Sequence, residues 1–193
     1  MNWDFRNAEE LLKLCKDNDL PVSEVMINRE MQLGEVRREL ILDQVDANLR
    51  VMNTAVDRAV SEPVRSMGGL IGGEASKLDQ LDESKAVCGP VLHRAMVGAL
   101  AVSETNASMG VIVAAPTAGS AGVLPAVLIS FYEHYDISMD TLRRGLINAG
   151  AIGYILTRNG SVSGAEAGCQ AEVGSASAMA ASAVVEMLGG TPE

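Results

Sequence analysis

The chain has 193 residues, enough for one good core or two small ones, and sets 15 Lys and Arg against 25 Asp and Glu for a formal net charge of −10. It has no basic run, so it lacks the electrostatic footprint of a nucleic-acid binder, and an anionic membrane surface would repel it. Aromatic residues are only 3%, so the core must be packed with Ala, Val, Leu, Ile and Met.

In "NAEELLKLC", Asn7 stands where a helix N-cap belongs and Glu10 follows three residues on, a capping-box-like start. "LP" at 20–21 breaks the chain, and "VSEVMINREM" resumes a short helix. Leu42, Val45, Leu49, Met52, Val56 and Ala59 follow alternating spacings of 3 and 4, a heptad-like stripe on a helix from Gly34 to Ser61 that Pro63 stops. One face of a helical bundle accounts for the stripe, which is too short to favour a dimerising coiled coil. "SMGGLIGGEASKL" comes next, with four glycines within residues 68–73 whose backbone amides could cradle an anion. The P-loop spacing and its Lys-Ser/Thr end are missing, so a plain turn between helices is the simpler reading.

Charge thins out at this point. Residues 1–85 hold 28 charged side chains and residues 86–193 hold 12. The first stretch therefore reads as charged N-terminal helices and the second as the buried Gly/Ala-rich body of the same domain. Residues 105–132, "TNASMGVIVAAPTAGSAGVLPAVLISFY", carry no charge. Their length would admit a membrane span, but the prolines, glycines and polar side chains inside the run speak against one. The better parse is a short apolar segment (Val111 to Ala114), a loop "APTAGSAG", and a helix with Val123, Leu124, Val127, Leu128 and Phe131 on one face. Ser138 can cap a further helix through about Thr157. A break at Gly164–Gly174 precedes a last helix from about Ser175 to Leu188, ended by Gly189-Gly190. This parse puts Cys169 on a loop just before that helix. "TPE" then reads as the cap and first turn of another helix, so the chain is expected to continue past Glu193. Few strands are visible. The expected class is mainly α, a compact helical domain with Gly-rich active-site loops, in which Gly and Ala on facing helices let backbones approach closely.

Cys15, Cys88 and Cys169 are odd in number and widely spaced, and no secretory leader opens the sequence. That pattern argues for a reducing compartment, with the cytoplasm as the expected location. No CxxC or HExxH is present, so a complete zinc site cannot be built from local motifs. Cys169 has three candidate roles: a buried structural thiol, a nucleophile, or a ligand to a metal or cluster. A nucleophile needs a base, and the two histidines, His93 and His134, lie in helical stretches without an obvious triad partner. A ligand needs further cysteines in comparable settings. Spacing alone leaves these roles open.

"NASMGVIVAAPTAGSAGVLPAVL" (106–128) and "SVSGAEAGCQAEVGSASAMAA" (161–181) resemble the two signature blocks of the α chain, or α domain, of iron–sulfur-dependent L-serine dehydratases. The similarity runs on through Glu24-Val25-Met26, "MGGLIGGEASKL" and Ala183–Glu193, and so covers nearly the whole chain. The resemblance implies β-elimination of water from L-serine, giving an aminoacrylate that becomes pyruvate and ammonia. It also implies a [4Fe–4S] cluster held by three cysteines, with one iron free to act as a Lewis acid on the serine hydroxyl. On this reading Cys169 is the first cluster ligand, and the other two are expected beyond residue 193. The loop at 116–122 lines the site, with Thr117 and Ser120 as catalytic candidates and Thr117, Ala118, Gly119, Ser120, Ala121 and Gly122 as substrate-binding ones. Helix-terminus physics adds that its amides and hydroxyls could hold the substrate carboxylate.

The implied partners are L-serine, a β chain or β domain, and further subunits of an oligomer. Residues 86–193 become a catalytic core truncated at its C-terminal end, and the chain alone is expected to be inactive. Two rivals predict otherwise. A pyridoxal-phosphate dehydratase needs an aldimine lysine, yet Lys13, Lys16, Lys77 and Lys85 all lie in the charged stretch. A non-catalytic helical interaction module would use Cys169 structurally and bind through the heptad face.

Overall fold

The N-terminal cap forms as the residue order requires. In the computed structural model, which describes residues 1–81 and 86–193, helix α1 spans Ala8–Asn18. Asn7 Oδ1 accepts from the Glu10 amide at 2.9 Å, and the Glu10 carboxylate accepts from the Arg6 amide at 2.7 Å. Two donors at the helix start are thus satisfied, with Glu10 reaching the amide one residue before the N-cap amide that a capping box uses. Asp19, in the left-handed region at φ 53°, ends α1, and Pro21 precedes α2 at Val22–Gly34. Helix α3 spans Arg38–Ser61 and so starts later than Gly34, because Glu35 takes φ 51° and closes α2 instead. Next come α4 (Glu74–Asp79), α5 (Pro90–Ala107), α6 (Val123–His134), α7 (Met139–Asn159), α8 (Gly164–Ala167) and α9 (Cys169–Met187). Every regular element among the described residues is helical. The fold is mainly α. The change in charge density at residue 85 lies outside the described residues.

The chain forms two compact units, one made of Met1–Ala47 and Ser138–Glu193, the other of Asn48–Ile137. In the first, α2 and α9 pack on α7, and α1 packs on α2. Phe5, Leu11, Cys15, Val22, Val25 and Ala151 share its core. Buried Arg29 joins the N-terminal segment to α7, with Asp4 at 3.0 Å and the Tyr154 ring centroid at 3.7 Å. Ser138 caps α7 as expected, accepting from the Thr141 amide at 3.2 Å. Glu186 of α9 accepts from Asn148 of α7 at 2.7 Å and from the Ser23 amide at the start of α2 at 3.2 Å. Helix α9 begins at Cys169, earlier than the expected Ser175, and Gly174 lies inside it. Glycine weakens a helix interior by only about 0.5–1 kcal/mol relative to alanine, which the Ala-rich turns beyond it absorb.

In the second unit α4 and α6 pack on α5. Its core gathers Ala55, Val56, Ala59, Ala101, Val102 and Ile129. Leu49, Met52, Val56 and Ala59 of the stripe are buried. Small residues bring the helices together as expected: a Cβ placed on Gly98 of α5 would sit 3.2 Å from the Ala126 Cα of α6. The uncharged run at 105–132 divides among the end of α5, a loop with a 3-10 turn at Ala118–Ser120, and α6. Residues 111–114 belong to no helix or strand. No helix among the described residues is long and apolar enough to cross a membrane.

Candidate active-site segments

The last turn of α5 organises the Gly-containing loops of its unit. Asn106 donates from Nδ2 to the Ala118 carbonyl at 3.1 Å, and Thr105 Oγ1 donates to the Ala55 carbonyl at 2.8 Å. Within the loop, the Thr117 and Ser120 hydroxyls lie 3.2 Å apart, and Ser120 Oγ reaches the Ala115 carbonyl at 3.4 Å. Ser120 is only 2% exposed, whereas Ala118 and Gly119 are exposed and Thr117 is half-buried. Ala121 joins the hydrophobic core, which fixes the far end of the loop.

Gly122 is a close-approach position. A Cβ there would stand 2.7 Å from the Ala99 carbonyl oxygen and 3.3 Å from its Cα, both backbone atoms of α5. Gly122→Ala is therefore expected to destabilise the chain by about 1–3 kcal/mol, the usual cost of overpacking. Gly174→Ala, with nothing within 4 Å of the new Cβ, is expected to stabilise it by about 0.5–1 kcal/mol. Thermal unfolding of both variants checks the opposite signs; a neutral Gly122→Ala would mean that α5 can withdraw.

The glycine run at 68–73 is both a turn and an anion cradle, and the anions are the protein's own carboxylates. Glu104, buried in α5, accepts from the Gly73 amide at 3.0 Å and from the Ala75 amide at 2.9 Å. Glu74 accepts from the Gly72 amide at 2.7 Å. Its own amide and that of Gly72 hold its carboxyl below the ordinary carboxylate range. The Met67 amide bonds the Ala107 carbonyl at 3.1 Å, so this loop also anchors on the end of α5. Glu104 escaped the sequence reading. Its signal was the single acid in α5, where Arg94 is the other charged side chain.

Cys169 is exposed and is the first residue of α9, directly after Gly168 at φ +85°. That φ, which favours glycine, lets the helix begin at once instead of after a loop, and the Ala171 amide bonds the Gly168 carbonyl at 3.0 Å. Within this chain Cys169 is not among the buried thiols. Cys15, by contrast, is 3% exposed, and burial, with the Glu186 charge adding to it, pushes its thiol up to about 11. It stays protonated, and the thiolate is the ligand form.

Cys88, expected to pack at its Gly-Pro helix start, is exposed with its sulfur 4.0 Å from that of Met96. His93 is buried in α5 and His134 is exposed at the end of α6. Lys13, Lys16 and Lys77 are exposed on helices, and Lys85 lies outside the described residues. Among the described residues, no three His, Cys, Asp or Glu side chains gather where they could hold a metal ion. Cys88 and Cys169 are exposed thiols, and each stands apart from any such group. Thr117 and Ser120 belong to the Asn48–Ile137 unit and Cys169 to the other.

Residues 17–193 match the family described as serine dehydratase alpha chain. The chain belongs to this family. It is 48% identical over 190 residues to the "Probable L-serine dehydratase, alpha chain" of Bacillus subtilis (strain 168), covering 98% of this chain and 63% of that one. It is 38% identical to the "L-serine dehydratase, alpha chain" of Peptoniphilus asaccharolyticus, over 98% of this chain and 65% of the relative. The match to the "L-serine dehydratase" of Streptomyces coelicolor is also 38%, over all of this chain but only 43% of the longer protein. The chain thus spans less than two thirds of the length of these serine dehydratase relatives.

Proposed function

We propose that the chain is the α-chain portion of an L-serine dehydratase, a lyase that removes water from L-serine and yields pyruvate and ammonia. The observation that carries this reading is the 48% identity over 98% of the chain to a protein named as an alpha chain of that enzyme. Cys169 would supply one thiolate to a [4Fe–4S] cluster, the other thiolates coming from outside this chain. When bound, that cluster offers a Lewis-acidic iron that makes the serine hydroxyl a better leaving group.

The loop at 116–122 would hold the substrate carboxylate through Thr117 and the backbone of Ala118 and Gly119. Ser120, buried and bonded within the loop, would act by orienting Thr117. Ala121 and Gly122 would set the loop against the core and α5 without touching substrate through a side chain. The β chain or β domain would complete the site, in an oligomer in the cytoplasm.

The 193-residue chain alone is expected to purify colourless and to form no pyruvate from L-serine. Anaerobic reconstitution with iron and sulfide, followed by iron analysis and a pyruvate assay, tests this. Assembly into an α chain of the relatives' full length together with a β part should give both cluster and turnover. Stoichiometric cluster with turnover in the short chain would overturn the three-cysteine logic, and no turnover in the assembled enzyme would overturn the proposed reaction.

A further inference from the structure

The loop at 117–120 has its backbone oriented by bonds within its own turn and by one shorter bond from α5. Ala118 O receives Asn106 Nδ2 at 3.1 Å and, more weakly, the Ala121 amide at 3.4 Å. Thr117 O faces Ser120 Oγ at 3.5 Å. A trans peptide is planar, with its C=O and N–H pointing in opposite directions. Anchoring Ala118 O on α5 therefore turns the Gly119 N–H away from α5, and Gly119 is exposed. If this peptide rotated, a carbonyl dipole would replace an amide donor at the same place.

Resting on the proposed reaction at this loop, we infer that Asn106 is a positioning residue for substrate carboxylate binding. It touches no substrate. It fixes the Ala118–Gly119 peptide so that the Gly119 N–H is presented to an anionic group before that group arrives, a preorganised donor of the kind that stabilises charge in a site. The Nδ2 assignment follows from the geometry, because the atom bonded to a carbonyl oxygen must be the donor. The three other residues of the same turn hold neighbouring segments: Glu104 and Ala107 the glycine run at 66–75, and Thr105 helix α3. Asn106 alone of the four is directed to the 117–120 loop by a side-chain bond.

In the assembled enzyme, Asn106→Ala is expected to raise KM for L-serine about tenfold, the scale of one lost hydrogen bond to a charged group. The value of kcat should stay within about twofold, as for binding shared by ground and transition states. Asn106→Gln, which keeps an amide donor, should recover most of the loss. Inhibition by 3-hydroxypropionate, which has the carboxylate without the amine, should weaken in Asn106→Ala. Inhibition by ethanolamine, which has the amine without the carboxylate, should not. Equal weakening of both inhibitors, or an unchanged KM, would overturn the inference.

A second measurement is independent of turnover. In the 193-residue chain, the Gly119 amide resonance should move in Asn106→Ala and return toward its original position in Asn106→Gln. An unmoved Gly119 resonance would also overturn the inference, whereas wild-type enzyme without serine turnover would sink only the proposed reaction.

Discussion

On the proposed reading, Cys169→Ser is expected to strip the assembled enzyme of its brown colour and most of its iron, and to cut serine turnover about a thousandfold. That factor corresponds to several kcal/mol of Lewis-acid stabilisation. The fold should not be the cause of the loss. Cys169 is exposed at the first position of α9, and surface substitutions of this kind usually fall within about 0.5 kcal/mol. Serine is itself a good residue at a helix start, so the helix should form equally well. Cys88→Ser is the matched control, another exposed thiol, and should leave iron content unchanged. Cys15→Ser should behave in a third way, destabilising the core around Phe5 and Val25 by placing a hydroxyl there without removing a ligand. Full iron content and activity in Cys169→Ser would remove the residue from the cluster.

Glu104→Ala should lower the stability of the Asn48–Ile137 unit by about 3 kcal/mol, on the scale of truncating a buried leucine. The estimate follows from leaving two amides without an acceptor and losing charge-assisted bonds in a buried setting. Those amides belong to Gly73 and Ala75, and Ala75 is 0% exposed, so water cannot readily replace the carboxylate. Glu104→Gln should fall between wild type and Ala, since its amide retains one acceptor oxygen but turns donors toward donors. Urea unfolding of the 193-residue chain is the measurement. A loss below about 1 kcal/mol for Glu104→Ala, the ordinary level for a modest net hydrogen bond, would mean that the loop at 66–73 finds other acceptors.

The features legible in the residues were those decided over a few positions. Asn7 and Glu10 cap α1 across three and four residues, and Ser138 caps α7 in the same way. Helix starts were harder. Glu35 at φ 51° separates α2 from α3, a conformation that a non-glycine residue seldom announces. Gly174 looked like a break yet stays helical, because the propensity cost of one glycine is small beside the tertiary contacts of the helix that contains it.

The sequence by itself determined the mainly helical class and, through the 106–128 and 161–181 blocks, membership of the serine dehydratase alpha chain family. Both rest on local patterns: periodicity and caps for the class, residue order for the family. Only the tertiary structure decided that Cys15 is buried while Cys88 and Cys169 are exposed. It also decided that Glu104 fills the cradle of amides 31 and 29 residues away, and that Gly122 must lack a side chain because Ala99 stands against it. An apolar stripe tells which face of a helix turns inward but not what it will meet there. A thiol's exposure, a carboxylate's partners and the room beside a glycine are set by that meeting, between residues far apart in the chain.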